Sequence, residues 1–554
     1  MASAIEEQLV KIKRDSEERE AIRKAEELGL DYLDLSTKAV TNEALETLSK
    51  EDAGAAQVVP VELKGQGLMI ALVDPKNNKT QEVLSSLKSK GFNLTLYLSS
   101  RSSIKEAQKS YDTLPKKQEE ITGEFNAKEK NLEELAKKLI NLEVITKEIK
   151  DFNLNQQPIG DILEIVLAGA VTTKSSDVHF EPEIDKVKIR YRIDGILNTI
   201  IDDFPSSSYK SLLSRIKLLT GLKIDISGKA QDGRFSIVFG DKDVELRVSI
   251  VPSEHGETVV MRILDPDAIN ISLEGLGLRK DDLEIVMNEI QEPNGMILNT
   301  GPTGSGKTTT LYSFLKQRHS SEIKIVTIED PIEYNIDGIE QTQVSEERGY
   351  TFANGLSAIM RQDPDVILVG EIRDGETANV AIQAALTGHL VFSTVHANEA
   401  AGSIPRLLDL NIKPTSIGPA LNMIMAQRLV RKLCESCKKQ VEIDDEIRVK
   451  IAHLLTALPE RVDKVSYQTP TFFKAVGCNK CNQTGYKGRI GIFELLQVKQ
   501  EIESLIEKQA SETELQEFAL KQGMVTMQQD GLLKVLIGIT TLEEVKAATG
   551  SLNF

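Results

Sequence analysis

Eight residues in the middle of the chain, Gly301-Pro-Thr-Gly-Ser-Gly-Lys-Thr308, carry the G-x-x-x-x-G-K-[ST] spacing of a phosphate-binding turn. The glycines let successive backbone N–H groups turn inward as an anion-binding nest, and a helix opening at the end of the turn adds its partial positive charge. A triphosphate is the natural ligand. Lys307 is spaced to reach the β and γ phosphates as a mobile point charge, and the Thr308 hydroxyl to ligate Mg²⁺. The expected ATP site is therefore Gly301, Pro302, Thr303, Gly304, Ser305, Gly306, Lys307, Thr308 and Thr309. Its context is the required one: the apolar run Met296 to Asn299 reads as a strand before it, and Thr309 to Leu315 reads as a helix after it.

Binding alone does not cleave a phosphoanhydride; a carboxylate must position or activate water, and acids must help hold the metal. Two acidic clusters follow the turn. The first runs from Thr327 to Tyr334 and puts Glu329 and Asp330 at the carboxyl end of a strand, the side on which open α/β sheets bind ligands. The second runs from Asp363 to Asp374, where the strand Val366 to Val369 delivers Gly370 and Glu371 to the same edge. Gly370 stands where a Walker B strand usually ends in aspartate, so Glu371 must serve the water, the metal or both. Further on, His389 and His396 flank a third apolar strand, Leu390 to Val395, expected beside the phosphates as a γ-phosphate sensor.

All four cysteines fall between 434 and 481 as two C-x-x-C pairs, Cys434 with Cys437 and Cys478 with Cys481, separated by 40 residues. Each pair can bring two thiolates to ~3.5–4 Å on a tight turn, and two pairs close a tetrahedral Zn²⁺ site with no position left for substrate. A structural zinc site is the expectation, with reduced thiols or redox pairs as the alternatives. The long insert Val441 to Val476 is expected to carry extra helices.

These residues need a scaffold of several domains. At 554 residues the chain exceeds what one hydrophobic core supports, so ~3 or 4 domains are expected. The 40% hydrophobic and 27% charged composition is that of a folded soluble protein. Sixty-seven basic against 84 acidic residues, a net charge of −17, give no global footprint for nucleic acid. No apolar run approaches the ~18 residues of a membrane span, and Met1 to Glu7 lacks the layout of a signal peptide. A cytoplasmic protein with at most peripheral membrane contact is the expectation.

Along the chain, residues 1–100 read as a small α/β domain, with strands Val58 to Leu63 and Leu68 to Val73 on either side of the turn Lys64 to Gly67. Residues 101–155 read as a helical linker whose stripe, Leu132, Leu135, Leu139, Leu142, Ile145 and Ile149, packs on a neighbour or pairs as a short coiled coil. Residues 156–264 form a second α/β domain. Its arginines Arg190, Arg192, Arg234, Arg247 and Arg262 fall on strand-like segments and fit a solvated sheet face. A hinge linker at 265–275, a parallel α/β core at 276–430, the tetracysteine module at 431–490 and C-terminal helices at 491–554 complete the expected order.

That order of motifs resembles the secretion and pilus-assembly ATPases, most nearly the type IV pilus extension and type II secretion members. By this resemblance, Thr327 to Tyr334 matches the family's aspartate box, Gly370-Glu371 its Walker B end, and Gly388 to His396 its histidine box. Asp177 to Pro182, Arg190 to Gly195 and Gln231 to Arg234 look like the domain that precedes the motor core. The resemblance implies an α/β multidomain fold, with a RecA-like P-loop motor core behind smaller α/β domains, a zinc-binding insert and C-terminal helices. It further implies a hexameric ring, ATP with Mg²⁺ and Zn²⁺ as cofactors, and an inner-membrane platform or assembly protein as partner. Arg247 and Arg262 become the arginines expected to reach nucleotide, in the same subunit or the next. For the N-terminal domain, docking to a membrane partner is expected ahead of cyclic-dinucleotide binding. The rival functions are a nucleic-acid translocating P-loop motor of conjugation or packaging type, which the acidic balance opposes, and a nucleotide-dependent scaffold that barely hydrolyses.

Overall fold

The structure is a computed structural model that describes residues 2–552 except 36, 37, 39, 46, 65, 90, 114–123, 126–128, 155, 156 and 270. Parts of the 101–155 stretch, residue 65 of the expected hairpin turn and residue 270 of the expected hinge thus lie outside the described residues. The chain divides into two compact units, Met1–Thr122 and Gly123–Phe554.

The first unit is built on a four-stranded sheet in the order Asp31–Tyr32, Asn93–Leu98, Gly67–Leu72, Val58–Lys64. Val58–Lys64 and Gly67–Leu72 pair antiparallel. The other two pairings are parallel, so they need crossovers, and the helix Asn78–Ser89 supplies one. The helix Arg101–Ala107, at the start of the expected linker, belongs here: Ile104 is buried with Val59 and Val61.

In the second unit, the stripe from Leu132 to Ile149 is divided between two helices, Glu129–Lys138 and Leu142–Lys150. Asn141 breaks it, because its side chain caps the second helix by accepting from the Val144 N–H at 2.9 Å. Leu132, Leu139, Ile145 and Ile149 are buried in one core with the helix Ile159–Thr172 and the first seven-stranded sheet of this unit. That sheet runs Glu124–Phe125, Gln231–Phe239, Lys242–Ser253, Gly256–Leu264, Asp177–Pro182, Lys186–Ile193, Ile196–Pro205. Alternation along Lys186–Ile193 buries Val187, Ile189 and Tyr191 and turns Lys188 and Arg190 to the other face.

The core sheet also has seven strands: Glu340–Gln343, Ile325–Glu329, Val366–Val369, Leu390–Val395, Gly295–Thr300, Leu421–Leu433, Tyr486–Gln497. All pairings are parallel except the last. Four of its strands are buried along their whole length, as a sheet covered on both faces requires. Parallel strands end on one edge. The segments that follow Gly295–Thr300, Ile325–Glu329, Val366–Val369 and Leu390–Val395 therefore collect there.

Beyond the core, the insert between the cysteine pairs forms a two-stranded ladder, Lys439–Val441 with Phe472–Lys474, and a helix, Asp445–Ala457. Ile451, Leu454, Leu458 and Phe472 share a core with Leu532, Leu533 and Leu536 of the helix Met527–Leu536. A buried ionic cluster fastens this assembly to the core. Arg279 bonds Asp530 at 2.8 Å and Asp282 at 2.6 Å, Asp530 accepts from Lys534 at 2.5 Å, and Arg461 of the insert reaches Asp282 at 2.7 Å.

Candidate nucleotide site and metal centre

The P-loop leaves the buried strand Gly295–Thr300 and enters the helix Lys307–Arg318. All three of its glycines have positive φ, Gly304 at +79°. Gly301 has φ +146° and Gly306 φ +89°, and a Cβ on Gly301 would lie 2.4 Å from the Gln427 carbonyl oxygen. Pro302, Thr303, Gly304 and Thr308 are exposed, whereas Ser305 is buried with its hydroxyl unpartnered. Thr309 sits in the first helical turn, where its carbonyl accepts from Ser313. The Lys307 ammonium folds back onto the Gly301 and Pro302 carbonyls at 2.8 and 3.2 Å. Burial lowers its pKa, and the charge of Glu371 acts in the opposite direction.

Glu371 follows the strand Val366–Val369, and its side chain is only 15% exposed. Arg373 Nη2 lies 2.5 Å from one of its oxygens and His396 Nε2 3.4 Å from the other. The bond to Glu371 raises the Arg373 pKa, and the charge of Asp330 adds to the effect. Asp374, the last acid of that cluster, caps the helix Gly375–Leu386 by accepting from the Thr377 N–H at 2.8 Å. Strand ends are cross-tied by hydroxyls: Thr300 donates to the Val395 carbonyl at 2.8 Å and Thr394 to the Gly370 carbonyl at 2.9 Å.

Glu329 is different. It is buried, and it accepts from the Tyr312 hydroxyl at 2.6 Å, the Thr327 hydroxyl at 2.7 Å and the Gln341 amide at 3.1 Å. Three donors hold its carboxyl group in place. Burial, reinforced by Glu329, pushes the Tyr312 phenol far up, so Tyr312 stays a donor.

His389 is not brought to this edge. It precedes the strand Leu390–Val395, its Nδ1 faces the Ala384 carbonyl at 3.0 Å, and its own carbonyl accepts from the Gly295 N–H. Gly295 begins the strand that the P-loop ends, so about 20 Å of strand, at ~3.3 Å per residue, separates His389 from His396. The expectation that both histidines flank the phosphates is corrected for His389. In a parallel sheet, residues on either side of one strand sit at opposite edges.

Of the two arginines, Arg247 bonds Glu333 at 2.8 Å and the Ile332 carbonyl at 2.6 Å, gripping the loop after Glu329. Arg262 is exposed and bonds Asp177 at 3.2 Å. Several side chains that organise the site escaped the motif reading: Tyr312, Gln341, Arg373 and Gln427. The available signal was a polar residue inside an apolar strand, as Gln427 is between Met423 and Val430.

The four cysteine sulfurs all lie within 4.8 Å of one another. Sγ separations are 3.9 Å for Cys434 and Cys478, 3.8 Å for Cys437 and Cys481, and 3.7 Å for Cys478 and Cys481. Those distances exceed a disulfide's ~2.05 Å and match the ~3.8 Å edge of a tetrahedron with metal–sulfur bonds of ~2.3 Å. Backbone N–H groups of Cys478 and Gly485 point at the Cys481 sulfur at 3.2 and 3.3 Å, stabilising a thiolate. The donor set fits a closed tetrathiolate metal site.

A P-loop on a parallel sheet, with an acid at the tip of a nearby strand, defines a nucleotide-hydrolysing α/β core. The chain belongs to the type II/IV secretion ATPase family: the family described as "Type II/IV secretion system protein" matches residues 153–547, and the "MshEN domain" matches residues 28–116. The type IV pilus assembly ATPase PilB of Myxococcus xanthus is 37% identical over 532 residues, covering 96% of this chain and 91% of that one. The type II secretion system ATPase E of Vibrio cholerae is 45% identical over 393 residues, 71% of this chain and 75% of that one. The X-ray structure of the Legionella pneumophila ATPase DotB shares the fold, with a TM-score of 0.52 at 20% identity over 71% of this chain and 96% of that one. Among the described residues, no helix is long and apolar enough to cross a membrane.

Proposed function

We propose that this ATPase works as a cytoplasmic homohexamer, held at the inner membrane by a platform or assembly protein, and that it drives assembly of pilin-like subunits. Relatives of both pilus assembly and type II secretion support the class of load. Pilus assembly is the reading we favour, because its relatives match 95–96% of this chain, N-terminal unit included, against 71% for the secretion relatives.

The observation that carries the chemistry is the meeting of Glu371, His396 and Arg373 at the sheet edge where Lys307 ends the P-loop. In this reading the nest from Gly301 to Thr309 binds the triphosphate, and Lys307 exchanges its carbonyl partners for phosphate oxygens. Glu371 accepts the proton of the attacking water, and His396 reports the γ phosphate to Glu371. Glu329 is a fixed acid that shapes the edge, and Arg247 holds the loop behind it. Thr308 would hold magnesium, which when bound neutralises charge on the phosphates. Cys434, Cys437, Cys478 and Cys481 would hold zinc in a structural role.

The test measures nucleotide binding and phosphate release separately. Lys307→Ala is expected to lose both, and Glu371→Gln to bind ATP normally but hydrolyse it at least ~10²-fold more slowly, the low end of what a general base contributes. Equal loss of binding in the two variants would overturn these roles. Deleting the gene in the host bacterium is expected to abolish surface pili; loss of protein export with pili intact would reassign the load.

A further inference from the structure

Gln427 lies on the strand Leu421–Leu433, immediately beside the strand that carries the P-loop, and only 2% of its surface is exposed. It touches the phosphate-binding turn at both ends. Its side-chain oxygen accepts from the Asn299 amide at 3.0 Å, two residues before Gly301, and from the Thr310 hydroxyl at 2.8 Å, three residues after Lys307. Its backbone carbonyl occupies the space a Gly301 side chain would need, and its amide nitrogen lies 3.0 Å from where a Cβ on Gly306 would be.

No other side chain among the described residues accepts hydrogen bonds from both the strand before the turn and the helix after it. We infer that Gln427 is a positioning residue for the P-loop: it pins the turn's two ends in register, so that the amides between them converge on phosphate. This rests on the proposed nucleotide site and extends it to a residue outside the motif. A nest binds an anion only while its N–H groups point inward, and a loop rich in glycine has many other conformations to visit. One acceptor shared by two donors across the loop removes that freedom before the ligand arrives, which is how preorganisation raises affinity.

The consequence separates KM from kcat. Bound phosphates would themselves re-form the nest, so losing Gln427 should weaken binding more than it slows the bound complex. A merely structural residue would act otherwise: its loss lowers the active fraction, and so the apparent kcat, and leaves KM unchanged.

The experiment compares wild type, Gln427→Met, Thr310→Val and the double variant in Mg-ADP calorimetry and in steady-state ATP hydrolysis. Gln427→Met, which keeps the volume and removes the acceptor, is expected to weaken Mg-ADP binding and raise KM about 10-fold, the size of one or two lost hydrogen bonds, with kcat within about 3-fold. Thr310→Val should weaken binding less and add nothing in the Gln427→Met background, because the shared bond is already gone. Unchanged affinity in Gln427→Met, or a fall in kcat at constant KM, overturns the inference. If Gln427→Met does not fold, Thr310→Val decides alone, and unchanged Mg-ADP affinity in it overturns the inference too. Wild-type protein that fails to bind Mg-ADP, or a Lys307→Ala variant that binds it as well as wild type, would overturn the nucleotide site itself.

Discussion

Two glutamates reach the same sheet edge with different surroundings, and the surroundings assign them different work. Glu371 has partners that can exchange, an arginine and a histidine that is half exposed, whereas Glu329 is enclosed by a phenol, a hydroxyl and an amide. Removing the Tyr312 hydroxyl should therefore affect stability more than chemistry. Tyr312→Phe is expected to lower stability by about 1–3 kcal/mol, because a buried carboxylate loses one of its donors, while Mg-ATP affinity changes less than 3-fold; denaturant melts and calorimetry check the two halves. A third acid, Glu494, is almost wholly buried, and burial raises its pKa to about 7, against hydrogen bonds from Ala400 and neighbours that lower it. The folded state thus holds this proton at pH values where the unfolded chain has released it. The contribution of Glu494 to stability falls as pH rises from about 4.5 to about 7 and then levels off, and Glu494→Gln should remove that contribution and be more stable than wild type at pH 8. Chemical denaturation from pH 5 to pH 8 reads the difference.

At the scale of elements, the tetracysteine module is tied to the motor core by covalent continuity and by charge. The strand Leu421–Leu433 passes from Gln427, beside the P-loop, to Leu433, next to Cys434, and Arg461 of the insert shares Asp282 with Arg279. Metal removal should therefore destabilise more than the cysteine turns. Treatment with a strong chelator is expected to lower the melting temperature and to release about one zinc ion per chain in a colorimetric assay, as a closed four-thiolate site implies. Within the ionic cluster, Asp530 accepts from Arg279, Lys534 and the Phe493 N–H. Asp530→Ala would leave two buried cations without their shared partner and should cost about 3–5 kcal/mol; the midpoint of urea unfolding measures it.

For the whole molecule, the division into Met1–Thr122 and Gly123–Phe554 makes a direct prediction. Each unit has its own buried core, so the fragment 123–554 should fold without the first unit and bind Mg-ADP with an affinity within about 3-fold of the full chain. The ring is tested by mass: with a non-hydrolysable ATP analogue and Mg²⁺, light scattering should report six chains, and a monomer under those conditions would remove the hexamer from the proposal.

Much of this chain could be read as a string of letters, and the reason is locality. The P-loop, the two C-x-x-C turns and the strand-end acids are chemistry encoded within a few consecutive residues, where spacing alone controls which groups share a turn. Alternation along Lys186 to Arg192 likewise reveals a strand, because the period of two is a property of the chain itself. What spacing cannot convey is which end of a strand faces the ligand and which distant residues lie beside it. His389 and His396 look equivalent in the sequence and are a strand length apart in space. Gln427 looks like any buried amide until the strand that holds it is laid against Gly295–Thr300. Glu329 and Glu371 become distinct only when Tyr312 and Gln341 close over one and the more exposed Arg373 and His396 partner the other. Those outcomes belong to contacts between residues far apart in the chain, and only the folded sheet decides which of them meet.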